Sequence, residues 1–167
     1  MTNDLLNKGR EALAKGEWES ARDLLQNALK ENESAEVYEE LAWAYWWLND
    51  ASAVFDLRTK AYNLYLKDSN KLGASRVCSW IGIDYIELKG EFAVAGGWFK
   101  RAENLLEGLP GSTELCTIKL LKARMAFQVE KNSQLAFEYI DEVLELSKSI
   151  NDVNGEMLAG YLLHLSM

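Results

Sequence analysis

The chain has one proline, one histidine and two cysteines among 167 residues, and no apolar run approaches the roughly 20 residues that cross a bilayer. Each scarcity excludes something. Pro110 is the only obligate helix breaker, so helices can run freely between polar and glycine-containing turns. His164 stands alone, so no histidine metal pair and no histidine-based triad can be assembled, and neither a metal nor a cofactor is expected. Cys78 and Cys116 have no CxxC partner and no neighbouring histidine; they read as small buried hydrophobes. The longest apolar stretches, such as "LAGYLLHL", are too short for a membrane span, and the amino terminus "MTNDLLNKGREALAKG" is too polar for a signal peptide, so a cytoplasmic location is expected. Basic residues are also in deficit. With 18 lysines and arginines against 26 aspartates and glutamates, the net charge of -8 repels phosphate backbones, and direct nucleic-acid binding is not expected.

Hydrophobic residues make up 49% of the chain and recur at i, i+3, i+4 and i+7 almost throughout, which is the period of amphipathic helices. Strand-like alternation is missing. Breaks near Gly16, Ser34, Asp50, Ser69, Gly90, Pro110, Asn132 and Asp152 divide the chain into nine helices, at 3–15, 18–31, 35–48, 51–67, 70–88, 92–107, 113–130, 133–149 and 153–166. A single all-α domain over 1–167 is expected.

Helices of similar length joined by short turns call for a search for internal repeats. In "LLNKGREALAKGEWESARDLLQNALKENES" a small residue, Gly9, is followed by Ala12, a turn at Gly16, Trp18, and then Ala21, Leu25 and Ala28. Small residues return at Ala42, Gly82, Ala123 and Gly160. Second helices echo the pattern with Ala95, Phe99 and Ala102, and again with Ala136, Ile140 and Val143; Val54 and Arg58 break it in the second repeat. This pattern resembles the tetratricopeptide repeat, whose paired helices cross closely at small residues. The resemblance implies a right-handed superhelical array of antiparallel helix hairpins, a TPR-like α-solenoid, with about four and a half repeats.

A narrower resemblance is carried by "LAWAYWWLND" through "AVAGGWFKRAENLLEGLPGSTE" and covers roughly Gly9 to Glu114, and more loosely the rest. It is similar to the tetratricopeptide-type region of LuxR-type bacterial transcriptional regulators. Those proteins carry a helix-turn-helix at the carboxyl end, which is not in this chain, so the resemblance implies a sensory segment of a longer regulator, or a stand-alone relative, with a role in signalling.

No catalytic constellation stands out. Carboxylate pairs such as Glu39 with Glu40, and Glu142 with Glu145, read as solvated helix faces. Gly96 and Gly97 lack a Walker lysine and a preceding strand; each costs about 0.8 to 1 kcal/mol inside a helix, which is expected to be offset by a close helix crossing. The chain is therefore not expected to be an enzyme.

Repeat arrays bind across the concave wall made by the first helix of each hairpin. Counting from the small residues, that wall should include Arg10, Leu13 and Ala14; Trp43, Trp46 and Trp47; Ile83, Ile86 and Glu87; Arg124, Phe127 and Gln128; and Tyr161, His164 and Leu165. Tyr38, Leu41, Ala42 and Tyr45 already complete a core face, so the three indoles form a second apolar stripe. The candidate site is this aromatic platform of Trp43, Trp46 and Trp47, flanked by Arg10, Arg76 and Arg124 with Phe127 and Tyr161, and suited to a protein or peptide partner bearing a carboxylate. Two other readings stand beside it: a pocket for a small-molecule inducer walled by the three tryptophans and Phe127, and a dimerisation scaffold. The last helix should leave Met157, Leu158, Tyr161, Leu162 and Leu165 uncovered and open to self-association.

Overall fold

The computed structural model describes residues 2–165, with side chains from Asp4 to His164. Among them are nine α-helices and no strand: α1 (Thr2–Lys15), α2 (Trp18–Glu31), α3 (Ala35–Trp47), α4 (Ala51–Lys67), α5 (Lys71–Lys89), α6 (Phe92–Leu106), α7 (Thr113–Gln128), α8 (Ser133–Ile150) and α9 (Val153–Leu165). The sequence places these boundaries within two residues, the expected end of α9 at 166 lying outside the described residues, because the polar turn residues that interrupt the apolar period also cap the helices. Ser34, Asp50, Asn70, Ser112, Asn132 and Asp152 each accept a hydrogen bond from the backbone N–H three residues on. The turns close through left-handed residues at Gly16, Asn49, Ser69, Gly90, Lys131 and Asn151. No described helix is long and apolar enough to cross a membrane.

Each helix packs on the next, and α1 also touches α3, α5 touches α7, and α7 touches α9. The small residues of the repeat pattern lie at the helix crossings. A Cβ added to Gly9 would come within 2.6 Å of Leu25 on α2, and one added to Gly82 would enter the Phe99 ring on α6. Ala42 and Ala123 are buried at the same register. Even-numbered helices turn inward the triplets Ala21, Leu25 and Ala28; Val54, Arg58 and Ala61; Ala95, Phe99 and Ala102; and Ala136, Ile140 and Val143, all of them buried. Arg58 thus occupies the central position that Leu25, Phe99 and Ile140 hold elsewhere.

Two packing expectations are corrected. Gly96 and Gly97 make no close crossing, since an added Cβ at either would meet nothing within 4 Å. Gly97 is exposed and Gly96 borders an open groove toward Lys122, Met125 and Tyr139, while the buried side of α6 is supplied by Ala95, Phe99 and Ala102. Of the apolar residues expected to be open on α9, Met157, Leu158 and Tyr161 are exposed, whereas Leu162 packs against the core of α7 and α8. The Leu165 side chain lies outside the described residues.

Candidate functional site

The predicted stripe of three indoles proves to be part of a longer chain of rings. Trp18 stacks on Trp47, with centroids 4.8 Å apart and planes inclined by 8°; Trp47 meets Trp46 edge-on at 5.0 Å; Trp46 meets Trp43 at 6.3 Å; and Trp43 meets Trp80 of α5 at 4.8 Å. Five of the six tryptophans therefore form one continuous aromatic seam across α2, α3 and α5. Burial changes along it. Trp43, Trp46 and Trp80 are half-buried, and Trp47 keeps 50% of its surface in solvent.

The inner half of the seam covers a charge. The guanidinium of Arg58 is wholly buried, lies 4.4 Å over the Trp43 ring and 5.9 Å from that of Trp80, and pairs with the buried carboxylate of Asp84 at 3.2 Å. Burial lowers the Arg58 pKa and raises that of Asp84, and each group is held in its charged form by the other. Trp46 Nε1 also favours the Asp84 carboxylate, from outside hydrogen-bond geometry. An arginine does not give up its proton here, so its neighbours must carry the cost of keeping it charged. Trp43 contributes a cation–π contact as well as a lid.

Beside this pair, Glu39 acts as a hub. Both of its carboxylate oxygens accept from Arg76, at 2.7 and 2.9 Å, and one also accepts from the Tyr65 hydroxyl at 2.8 Å. The Glu39 hydrogen bond holds the Arg76 guanidinium above its ordinary pKa, and burial with the Glu39 charge raises that of the Tyr65 phenol. Arg76 reaches Glu114 on α7 as well, at 3.3 Å.

The three arginines expected to await a ligand are thus already engaged. Arg10 of α1 pairs with Glu40 of α3 at 2.7 Å, Arg76 of α5 pairs with Glu39 of α3 and Glu114 of α7, and Arg124 of α7 pairs with Glu87 of α5 at 2.8 Å. They form a ladder of Arg–Glu rungs joining successive odd-numbered helices. The bidentate Arg76 rung is the strongest on geometric grounds, and the more exposed ones contribute little to stability.

The other predicted residues lie elsewhere. Phe127 and Arg124 line a separate pocket of about 100 Å³ with Ala123, Gln128, Ala136, Ile140 and Leu162, and none of the tryptophans borders it. Tyr161 is exposed on α9. No group of three or more His, Cys, Asp or Glu side chains that could hold a metal occurs among the described residues. Both cysteines are buried, and desolvation raises the Cys78 thiol to about 12.

Sequence reasoning missed Arg58, Asp84, Glu39, Trp18 and Trp80 as parts of the site. Two signals were available: an arginine at a core register between Val54 and Ala61, and an aspartate inside the apolar run "IGIDYI". A buried charge on one helix requires its counter-ion on another. No protein-family profile, curated protein or solved structure matches this chain.

Proposed function

We propose that this chain is a noncatalytic repeat module that binds a protein or peptide across the face formed by its odd-numbered helices. The helices form a right-handed, TPR-like superhelical array in this reading, supported by the packing of each helix on its successor and by the contacts of α1 with α3, α5 with α7 and α7 with α9. The observation that carries the proposal is Trp47: an indole stacked on one side, half open to solvent, and continuous with a rigid seam of rings. Such an aromatic is ordered in advance and loses little entropy when a partner covers it.

The state of the arginines sets the partner's chemistry. Because Arg10, Arg76 and Arg124 already face Glu40, Glu39, Glu114 and Glu87, a ligand carboxylate would have to displace an internal one. An apolar or cationic side chain can instead lie on the open part of Trp47 without breaking a pair, and the chain's net charge of -8 draws basic segments toward it. The wider role, sensory segment of a LuxR-like regulator, rests on the resemblance of the tryptophan helix and the "AGGWFKRAENLLEG" helix. The inducer-pocket reading is disfavoured, since the space beside Phe127 is about 100 Å³ against the 300 Å³ or more of an ordinary ligand site.

Selection from a displayed library of random peptides tests the proposal. Enrichment of sequences combining aromatic or aliphatic residues with Lys or Arg is expected; enrichment of acidic sequences, or none, would refute it.

A further inference from the structure

The Arg–Glu rungs between the odd-numbered helices are not alike in charge. Arg10 and Arg124 each face one carboxylate, Glu40 and Glu87, whereas Arg76 faces two, Glu39 and Glu114. Glu39 is the close partner, bound through both oxygens, while Glu114 meets Arg76 through a single contact at 3.3 Å. The adjacent Arg58–Asp84 pair cancels, so the middle rung carries a carboxylate in excess. Glu114 borders a groove between α5 and α7, a cavity of about 180 Å³ walled also by Arg76, Ser79, Trp80, Thr113 and Thr117. Helix α5 meets α3 through Trp80 and Trp43, and α7 meets α9, so the groove lies within the array and not at an end of the chain. Its hydroxyls have already placed their protons: Ser79 donates to the Ser75 carbonyl at 3.2 Å, and Thr117 to that of Thr113 at 3.0 Å. Each has only lone pairs left for a further partner. Glu114, Ser79 and Thr117 thus offer acceptors beside an indole.

We propose that this groove receives a lysine or arginine side chain of the bound partner, its stem along Trp80 and its charged head on Glu114 and the Thr117 hydroxyl. Charge complementarity selects this occupant: a cation neutralises the excess on the middle rung without displacing the bonds between Glu39 and Arg76. Arg76 is a like charge at the groove, but its guanidinium is engaged by Glu39 through two of its nitrogens. A carboxylate or phosphate would instead meet Glu114 and hydroxyls with no proton to give, and a neutral apolar side chain would cover the Glu114 carboxylate without pairing it. The cavity is well below the roughly 300 Å³ of a whole-ligand pocket and has the scale of a single side chain. Trp80 ends the seam that starts at Trp18 and Trp47, so a peptide lying on the open indole of Trp47 can follow the same rings to the groove. The site rests on the peptide-binding reading, and it adds which side chain of the partner is recognised and by which groups.

Titration of the whole chain with n-butylammonium and n-butylguanidinium, followed by NMR at the Trp80 indole N–H and the Thr117 amide, tests the groove without requiring a peptide. Saturable shifts at both positions are expected, with dissociation constants on the order of millimolar, and n-butanol, the uncharged counterpart, should produce neither. Glu114→Gln and Thr117→Val, each confirmed folded by circular dichroism, should weaken the amines about 5-fold or more, while the distant Trp47→Ala should leave them within about 2-fold. No shift at Trp80 and Thr117, an equal response to n-butanol, or undiminished binding to Glu114→Gln would overturn the proposal. The two readings fail separately. A library-selected peptide that needs Trp47 but binds Glu114→Gln as tightly as the wild type would refute the groove alone; amines held in the groove of a chain that selects no peptide would refute the peptide reading and uphold the groove.

Discussion

Trp47 lies flat on Trp18, their ring centroids 4.8 Å apart, and so fastens the end of α3 to the start of α2 while keeping half of its own surface in water. Trp43, four residues earlier, is instead wedged between Arg58 and Trp80. Two neighbouring indoles thus carry different loads. Replacing Trp47 by alanine should cost about 1 kcal/mol, the worth of an aromatic pair, whereas Trp43→Ala should cost about 3 kcal/mol or more because it also uncovers a buried cation. Urea unfolding of the two variants checks this; equal losses would mean that the seam is uniform.

The Arg58–Asp84 pair should be costly to break and cheap to delete. Asp84→Ala strands the guanidinium and is expected to lose about 3 to 5 kcal/mol, while the double replacement Arg58→Met with Asp84→Leu should recover most of that loss. A double variant no better than Asp84→Ala in denaturant unfolding would show that the ion pair, and not its satisfaction, holds α4 to α5.

The glycines of the chain separate into two kinds. Gly96→Ala and Gly97→Ala should each raise stability by up to about 1 kcal/mol, since nothing opposes a Cβ there and alanine is the better helix former. Gly82→Ala should lower it by about 1 to 3 kcal/mol, as the methyl group enters the Phe99 ring. Thermal unfolding of the three variants distinguishes the signs.

These contrasts mark how far the sequence is legible. Helix periodicity, polar caps and small residues depend on neighbours within a few positions, and from them the nine helices and the crossings at Gly9 and Gly82 follow. Glu39 and Arg76 lie 37 residues apart and Arg58 and Asp84 26 apart, each pair on different helices, and their meeting depends on crossing geometry that periodicity does not encode. The three arginines therefore read as free ligands for a partner, although each has an internal carboxylate. Gly96 and Gly97 misled for a related reason: a glycine in a helix reports a cost, not what offsets it.

Stability should also respond to alkaline pH through Cys78. Burial holds its thiol protonated to about 12, against an ordinary value near 9, so above pH 9 the unfolded chain releases a proton that the folded chain retains. Stability from this group is complete below pH 9 and falls as pH rises toward 12. Cys78→Ala should make the decline of the urea midpoint between pH 9 and 10 shallower than in the wild type, the part that remains coming from tyrosines such as Tyr65 whose phenols are also raised in the folded chain. In the native chain at pH 8, neither cysteine should react with iodoacetamide; rapid alkylation of Cys78 would show the site to be open.

The most direct measurement is the affinity of a library-selected peptide for the wild type and for Trp47→Ala, taken alongside the unfolding curve of each. Binding weakened by about 2 kcal/mol or more, with a loss of stability near 1 kcal/mol, is expected of a partner that lies on the open indole. Undiminished binding to Trp47→Ala, or binding lost only in step with folding, would contradict it and leave the tryptophan seam as packing between α2, α3 and α5.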